Sequence, residues 1–281
     1  MPTDLKDNKC FQNAPLVELV AEIRWGMPQV ISPQGQQFPG FFMPNPSGSD
    51  EFFNRFGNEV NKIGFPRSER LIPPGFPIMQ YQPVFRYHKT TENTGSIFYQ
   101  AGSGLLSVNA IPPYRSWDNF APVVKNGIDA LLKSRDTIEQ QQPFNFISLR
   151  YIDAFGPIFT RGLDARSFLE DVLNISIILP VCLNTIVADS KKIKPHLQLF
   201  LPLTNGMNMQ IVIGEGEINN EVSVIMDTTV STISGEVSPD SQIVMETLNA
   251  AHTFIHNMFL RLTAPIQHLM NPVEKNNGDY L

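Results

Sequence analysis

The sequence predicts an α+β fold: two tandem β-α-β-β-β-α halves, residues 1–138 and 139–281, with antiparallel sheets backed by helices. Three features carry that expectation. Short runs rich in β-branched and aromatic residues recur between turns containing Gly and Asn. Segments with apolar residues at helical spacing interrupt those runs at the same places in each half. And 42% of the 281 residues are hydrophobic against 17% charged, enough apolar material for a sizeable core.

In the first half, PLVELVAEIRW (15–25) reads as a strand bounded by Pro15 and Gly26. A long Pro-, Gly- and Phe-rich connection follows. Residues 49–65 then form a helix that Ser49 or Asp50 can cap, with Phe52, Phe53, Phe56, Val60 and Ile63 along one side. PIMQYQPVFRYHK (77–89), GSIFYQA (95–101) and LLSVNAI (105–111) are strands, split by the turn-forming TTENTG and GSG. Residues 116–134 are a second helix, capped by Ser116 and carrying Phe120, Val123, Val124, Ile128, Leu131 and Leu132.

The second half restarts the pattern. FNFISLRYIDAF (144–155) is a strand and DARSFLEDVLNIS (164–176) a capped helix. HLQLFLPL (196–203), MNMQIVIGEG (207–216) and EVSVIMDTTVSTIS (221–234) are strands joined by turns at Asn205-Gly206 and Asn219-Asn220. Residues 238–266 form a long last helix that ends or kinks near Pro265. The repeated order points to an internal duplication. Its first strands even share a local pattern, EIRWG against SLRYI.

A net charge of −6 excludes a general nucleic-acid or membrane-surface binder, because phosphate backbones reward positive fields. The Lys191, Lys192 and Lys194 cluster is too short to reverse that. The apolar run VLNISIILPVCLNTIVA is broken by Asn174, Ser176, Pro180 and Asn184 before it spans a membrane. With no apolar leader and two isolated cysteines, Cys10 and Cys182, a cytoplasmic protein is expected. The apolar flanks of Cys182 predict an inert, buried thiol.

Arg24, Arg86 and Arg150 each follow an apolar residue and precede an aromatic within a strand. An arginine so placed must find an anion, since an unpaired buried charge costs several kcal/mol. Either internal carboxylates (Glu18, Glu22, Asp153, Asp227) supply it, or the three line a groove between the halves that takes a small anionic ligand. Internal pairing is the favoured of the two.

The other motifs are weak. His252 and His256 stand four apart on the last helix, but Thr253 occupies the place of a metalloprotease glutamate and no third ligand follows. No metal or other cofactor is expected. The glycines of AGSGLLS and IGEGEINN lack phosphate-cradling spacing. The connection from Gly26 to Asp50 is long enough to be functional. Its Phe38, Phe41, Phe42 and Met43 either fold back over the sheet or dock on a protein partner, with Trp25, Tyr114 and Trp117 extending the patch.

Four stretches carry a family resemblance: PLVELVAEIRW, AGSGLLSVNAIPPYRSWDNFAPVV, FISLRYIDAF and AAHTFIHNMFLRLT. Together they resemble a sporadically distributed bacterial family of uncharacterised proteins of roughly this length, in the right order over nearly the whole chain. The most specific pieces are Gly104 to Trp117 and Leu149 to Tyr151. The resemblance implies a horizontally moving gene, of the kind found in defence or toxin–antitoxin neighbourhoods, and brings no catalytic residues.

Three functions compete. First stands a non-enzymatic interaction or regulatory module. Second is a binder of a small anionic ligand at Arg24, Arg86 and Arg150. Last is a hydrolase or nuclease built from Asp153, Asp227, His252 and His256. A homodimer is also expected, twofold symmetry being the commonest oligomeric arrangement.

Overall fold

The computed structural model describes residues 9–26, 46–89, 97–113, 116–137, 139–189, 192–233 and 236–274. The strands in chain order are β1 (Lys9–Phe11), β2 (Leu16–Trp25), β3 (Arg67–Arg70), β4 (Pro83–His88), β5 (Ile97–Gly102), β6 (Leu105–Ala110), β7 (Phe144–Phe155), β8 (His196–Pro202), β9 (Met207–Ile218), β10 (Glu221–Thr232) and β11 (Pro272–Glu274). The helices are α1 (Pro46–Lys62), α2 (Trp117–Ser134), the short turns α3 (Pro157–Thr160), α4 (Ala165–Ser167) and α5 (Val181–Asn184), and the long α6 (Ser241–Leu262).

Nine strands form a single antiparallel sheet in the order β3-β4-β5-β6-β2-β7-β10-β9-β8. Where two sheets were expected there is one, because β2 and β7 pair with each other along most of their length. The remaining β1 and β11 make a small separate ladder at the chain ends.

Side-chain alternation splits the two faces of the sheet. On β2, Leu19, Ala21, Ile23 and Trp25 are no more than 2% exposed, whereas Glu18, Val20, Glu22 and Arg24 between them are half-exposed. The buried side receives α1, α2 and α6. Phe56 of α1 sits edge-on to Tyr87 and Tyr99, with ring centroids 5.3 and 6.2 Å away. Phe120, Val124, Ile128 and Leu131 of α2, and Val244, Leu248, Ala251 and Ile255 of α6, complete one continuous core. Each of the phenylalanine, valine, leucine and isoleucine side chains contributes roughly 1.5–3 kcal/mol by leaving water.

Capping and turn chemistry explain the boundaries. Asp240 accepts from the amides of Gln242 and Ile243 and starts α6. Ser116 stands at the N-cap of α2, but its hydroxyl goes to the Asn119 side chain instead of a helix amide. Asn219 and Asn220 both take positive φ, the two-residue turn that matches strand twist, and join β9 to β10. The expected helix over 164–176 is shorter and irregular: α4, capped by Asp164, runs into a π-type turn at Phe168–Val172. The strand expected over 77–89 begins only at Pro83. No helix among the described residues is long and apolar enough to cross a membrane.

Candidate functional site

The face of the sheet away from the helices is crossed by a polar row that its register lines up. Residues directly opposite in an antiparallel ladder share a face. Glu69, Arg86, Gln100, Ser107, Glu22, Ser148, Ser231 and Asn208 therefore form one row across eight strands, from β3 to β9. Every member is polar. Beside that row, Arg24 lies two residues from Glu22 along β2, and Arg150 two residues from Ser148 along β7.

All three sequence-predicted arginines lie on this face, each beside a carboxylate of the chain. Arg24 donates through Nε to Glu22 Oε1 at 2.6 Å, and its guanidinium rests on the rings of Phe146 and Tyr81 at 4.7 and 5.2 Å. Arg150 forms a two-pronged pair with Asp227, Nε to Oδ1 at 2.8 Å and Nη2 to Oδ2 at 2.5 Å. The Asp227 hydrogen bonds raise the guanidinium's already high pKa further. Arg86 lies 3.6 Å from Glu69 and over the Phe98 ring at 4.9 Å. In the amide orientation that satisfies its donors and acceptors, Gln100 accepts from Arg86 Nη2 at 3.1 Å.

The structure brings two of the three together. Arg24 and Arg150 line a cleft of about 260 Å³ with Glu22, Phe146, Ser148, Gln210, Val212, Asp227 and Thr229. Two cations face two anions there, so the cleft is formally neutral. Arg86 lies three strands from β2 in the sheet order and is not among the lining residues.

A second cavity, about 530 Å³, opens at the end of the sheet among Trp25, Gly26, Gln80, Ser103, Gly104, Glu139, Gln142, Pro143, Asn145 and Glu236. Beside it Arg135 is 1% exposed, held between the Trp25 and Phe144 rings at 5.5 and 5.1 Å. Its Nη2 donates to the Gln142 carbonyl, while Nε and Nη1 have no partner among the described residues. Burial raises the pKa of Glu139, and Asp136 adds to that. The Trp25 indole, 3.3 Å away, and Arg135 oppose it.

The remaining candidates fall elsewhere. Asp153 is three residues from Arg150 and so faces the helices, where it is 4% exposed and burial pushes its carboxyl up to about 7. It is therefore a partner to none of the open-face arginines. His252 stacks on Trp117 at 4.9 Å and on His256 at 5.4 Å, with Nδ1 2.9 Å from the Tyr151 hydroxyl. Among the described residues no group of three or more His, Cys, Asp or Glu is placed to hold a metal ion.

Cys182 is exposed, contrary to expectation, because the turn that carries it also leaves Ile178, Val181 and Ile186 in solvent. Trp25 and Trp117 belong to the core and not to a surface patch. Phe38, Phe41, Phe42, Met43 and Tyr114 lie outside the described residues. Sequence reasoning missed Ser107, Ser148, Gln210 and Thr229, whose only signal is register. No known family model matches the sequence, and no curated protein matches it.

Proposed function

We propose that this chain is a non-enzymatic interaction module that works in the cytoplasm and docks a protein partner on the open face of its sheet. The observation that carries the reading is the all-polar row crossing eight strands, in which Arg86 is already paired with Glu69, and beside which Arg24 and Arg150 are already paired with Glu22 and Asp227. A broad polar surface whose three strand arginines are already paired suits a protein interface better than an anion site, since a free anion must compete with a carboxylate for each of those guanidiniums. The resemblance to a sporadically distributed family supports a regulatory role in a mobile defence or toxin–antitoxin type locus.

The layout also supports the duplication, with halves 1–138 and 139–281. Reading outward from the centre, β2-β6-β5-β4 on one side matches β7-β10-β9-β8 on the other, strand for strand in chain order. Matching Arg24 with Arg150 sets Glu22 opposite Ser148 at the pseudo-twofold axis, one arginine two residues to either side.

The test is a binding titration against the protein encoded by the adjacent gene. Thr229→Arg and Gln210→Arg, both on the face, are expected to weaken the complex about tenfold or more with unchanged melting temperature. Equal affinity for wild type and both variants would remove the face from the interaction. Excising residues 27–45 measures separately what the aromatic connection adds.

The second reading is the small anionic ligand. It rests on Arg24 and Arg150 sharing one cleft with the hydroxyl-bearing Ser148 and Thr229. Inorganic phosphate, pyrophosphate and nucleotides would then raise the melting temperature, and Arg150→Met would abolish the rise. No rise with any of them removes this reading.

A further inference from the structure

The two edges of the nine-stranded sheet are treated differently. At one, β3 is only four residues long and reads RSER, three of them charged. Charged residues and short length are how an edge is protected from pairing with other chains. At the other, β8 runs seven residues as HLQLFLP, with no Lys, Arg, Asp or Glu. Its register with β9 is continuous, without a bulge, and Phe200 is 67% exposed. Among the described residues no strand pairs with its outer side.

The hydrogen-bond phase shows what that outer side offers. Bonded and non-bonded pairs alternate in an antiparallel ladder. The Leu203 amide donates to the Met207 carbonyl at 2.8 Å, so Leu201, Leu199 and Leu197 direct their backbone groups at β9. The amides and carbonyls of His196, Gln198 and Phe200 consequently point away from the sheet. Donor and acceptor positions spaced this way are self-complementary about Gln198.

From this we infer that β8 pairs antiparallel with β8 of a second copy of the chain, about a twofold axis through Gln198. His196 and Phe200 then exchange bonds with Phe200 and His196 of the second copy, and the two Gln198 residues with each other. Leu197 and Leu199, half-buried at the rim of the core, come to lie opposite one another across the new boundary. No charged residue of the strand meets a like charge, as it would if β3 paired with itself. The interface lies in the plane of the sheet, so it is independent of docking on the open face.

Sedimentation equilibrium of the full chain, over micromolar to several hundred micromolar, tests the inference. The expected result is a species of twice the 31.6 kDa chain mass. Gln198→Pro removes only an amide that points away from β9, a position where an edge strand accepts proline. It should weaken the dimer about tenfold or more, since two interchain hydrogen bonds are lost. Gln198→Lys and Gln198→Glu should each weaken self-association by setting like charges opposite. Their equimolar mixture should restore the dimer as a heterodimer. A chain that stays monomeric across the range overturns the proposal. So does a dimer that Gln198→Pro leaves intact, or one in which the Lys and Glu variants do not rescue each other.

Discussion

Two carboxylates on neighbouring strands show how much a single residue's environment decides. Asp227 meets Arg150 on a face where both side chains are partly hydrated, 24% and 45% exposed. Such a pair is worth roughly 0–1 kcal/mol, so Arg150→Met is a variant that keeps the fold while testing ligand binding. Asp153 lies on the other face and burial pushes its carboxyl from 3.8 to about 7. Between those values the unfolded chain has released a proton that the folded chain still holds, so stability falls as pH rises through that window and levels off above it. The full difference is about 4 kcal/mol. Asp153→Asn keeps the shape and removes the titration. The expected outcome is a variant more stable than wild type at pH 8, with the two converging near pH 4, read from urea midpoints across a pH series. Parallel pH profiles for the two proteins would mean that the carboxyl ionises as readily folded as unfolded.

At the scale of elements, α2 and the sheet are fitted so closely that one helix position admits only glycine. A Cβ built on Gly127 would stand 2.5 Å from Cε1 of Tyr99. That ring cannot retreat: Tyr99 is fully buried, its hydroxyl donates to the Val123 carbonyl at 2.8 Å, and Phe65 lies against it at 4.5 Å. Glycine to alanine inside a helix ordinarily stabilises by about 1 kcal/mol. Gly127→Ala should reverse that sign and destabilise by about 1–3 kcal/mol, the cost of overpacking. A higher urea midpoint for the variant would contradict the close fit. Helices α1, α2 and α6 were legible in the sequence because one apolar face repeats with helical period, and β2 and β7 because β-formers cluster. The edge strand β3 was not, since RSER has no apolar side to mark it. The π-type turn after α4 was not either, because Phe168, Leu169 and Val172 fit a regular helix equally well on spacing alone. Of the candidate site, the arginines stood out as charges among apolar residues. The polar row did not, because its members come from strands far apart in sequence and only pairing aligns them.

For the whole molecule, the decisive contact is the pairing of β2 with β7, which no local pattern announces. It merges the strands of residues 16–110 and 144–232 into one sheet and one core cluster. Leu149 of β7 is fully buried, and Ala21 of β2 lies directly opposite it. Neither part can unfold alone without leaving a central strand of the other as an unpaired edge and baring the contact between α2 and α6, so the chain should lose its structure in one step. The two tryptophans make this measurable, because Trp25 and Trp117 belong to the first part and touch Phe144 and His252 of the second, so their fluorescence reports on the junction whereas far-ultraviolet dichroism reports on the whole. Urea curves from fluorescence and dichroism should coincide. Leu149→Ala, placed in the second part, should cost about 2–5 kcal/mol and move both curves by the same amount. If the fluorescence transition stayed in place while the dichroism transition split or shifted, the two parts would be separate cooperative units, and the continuous core would not couple them.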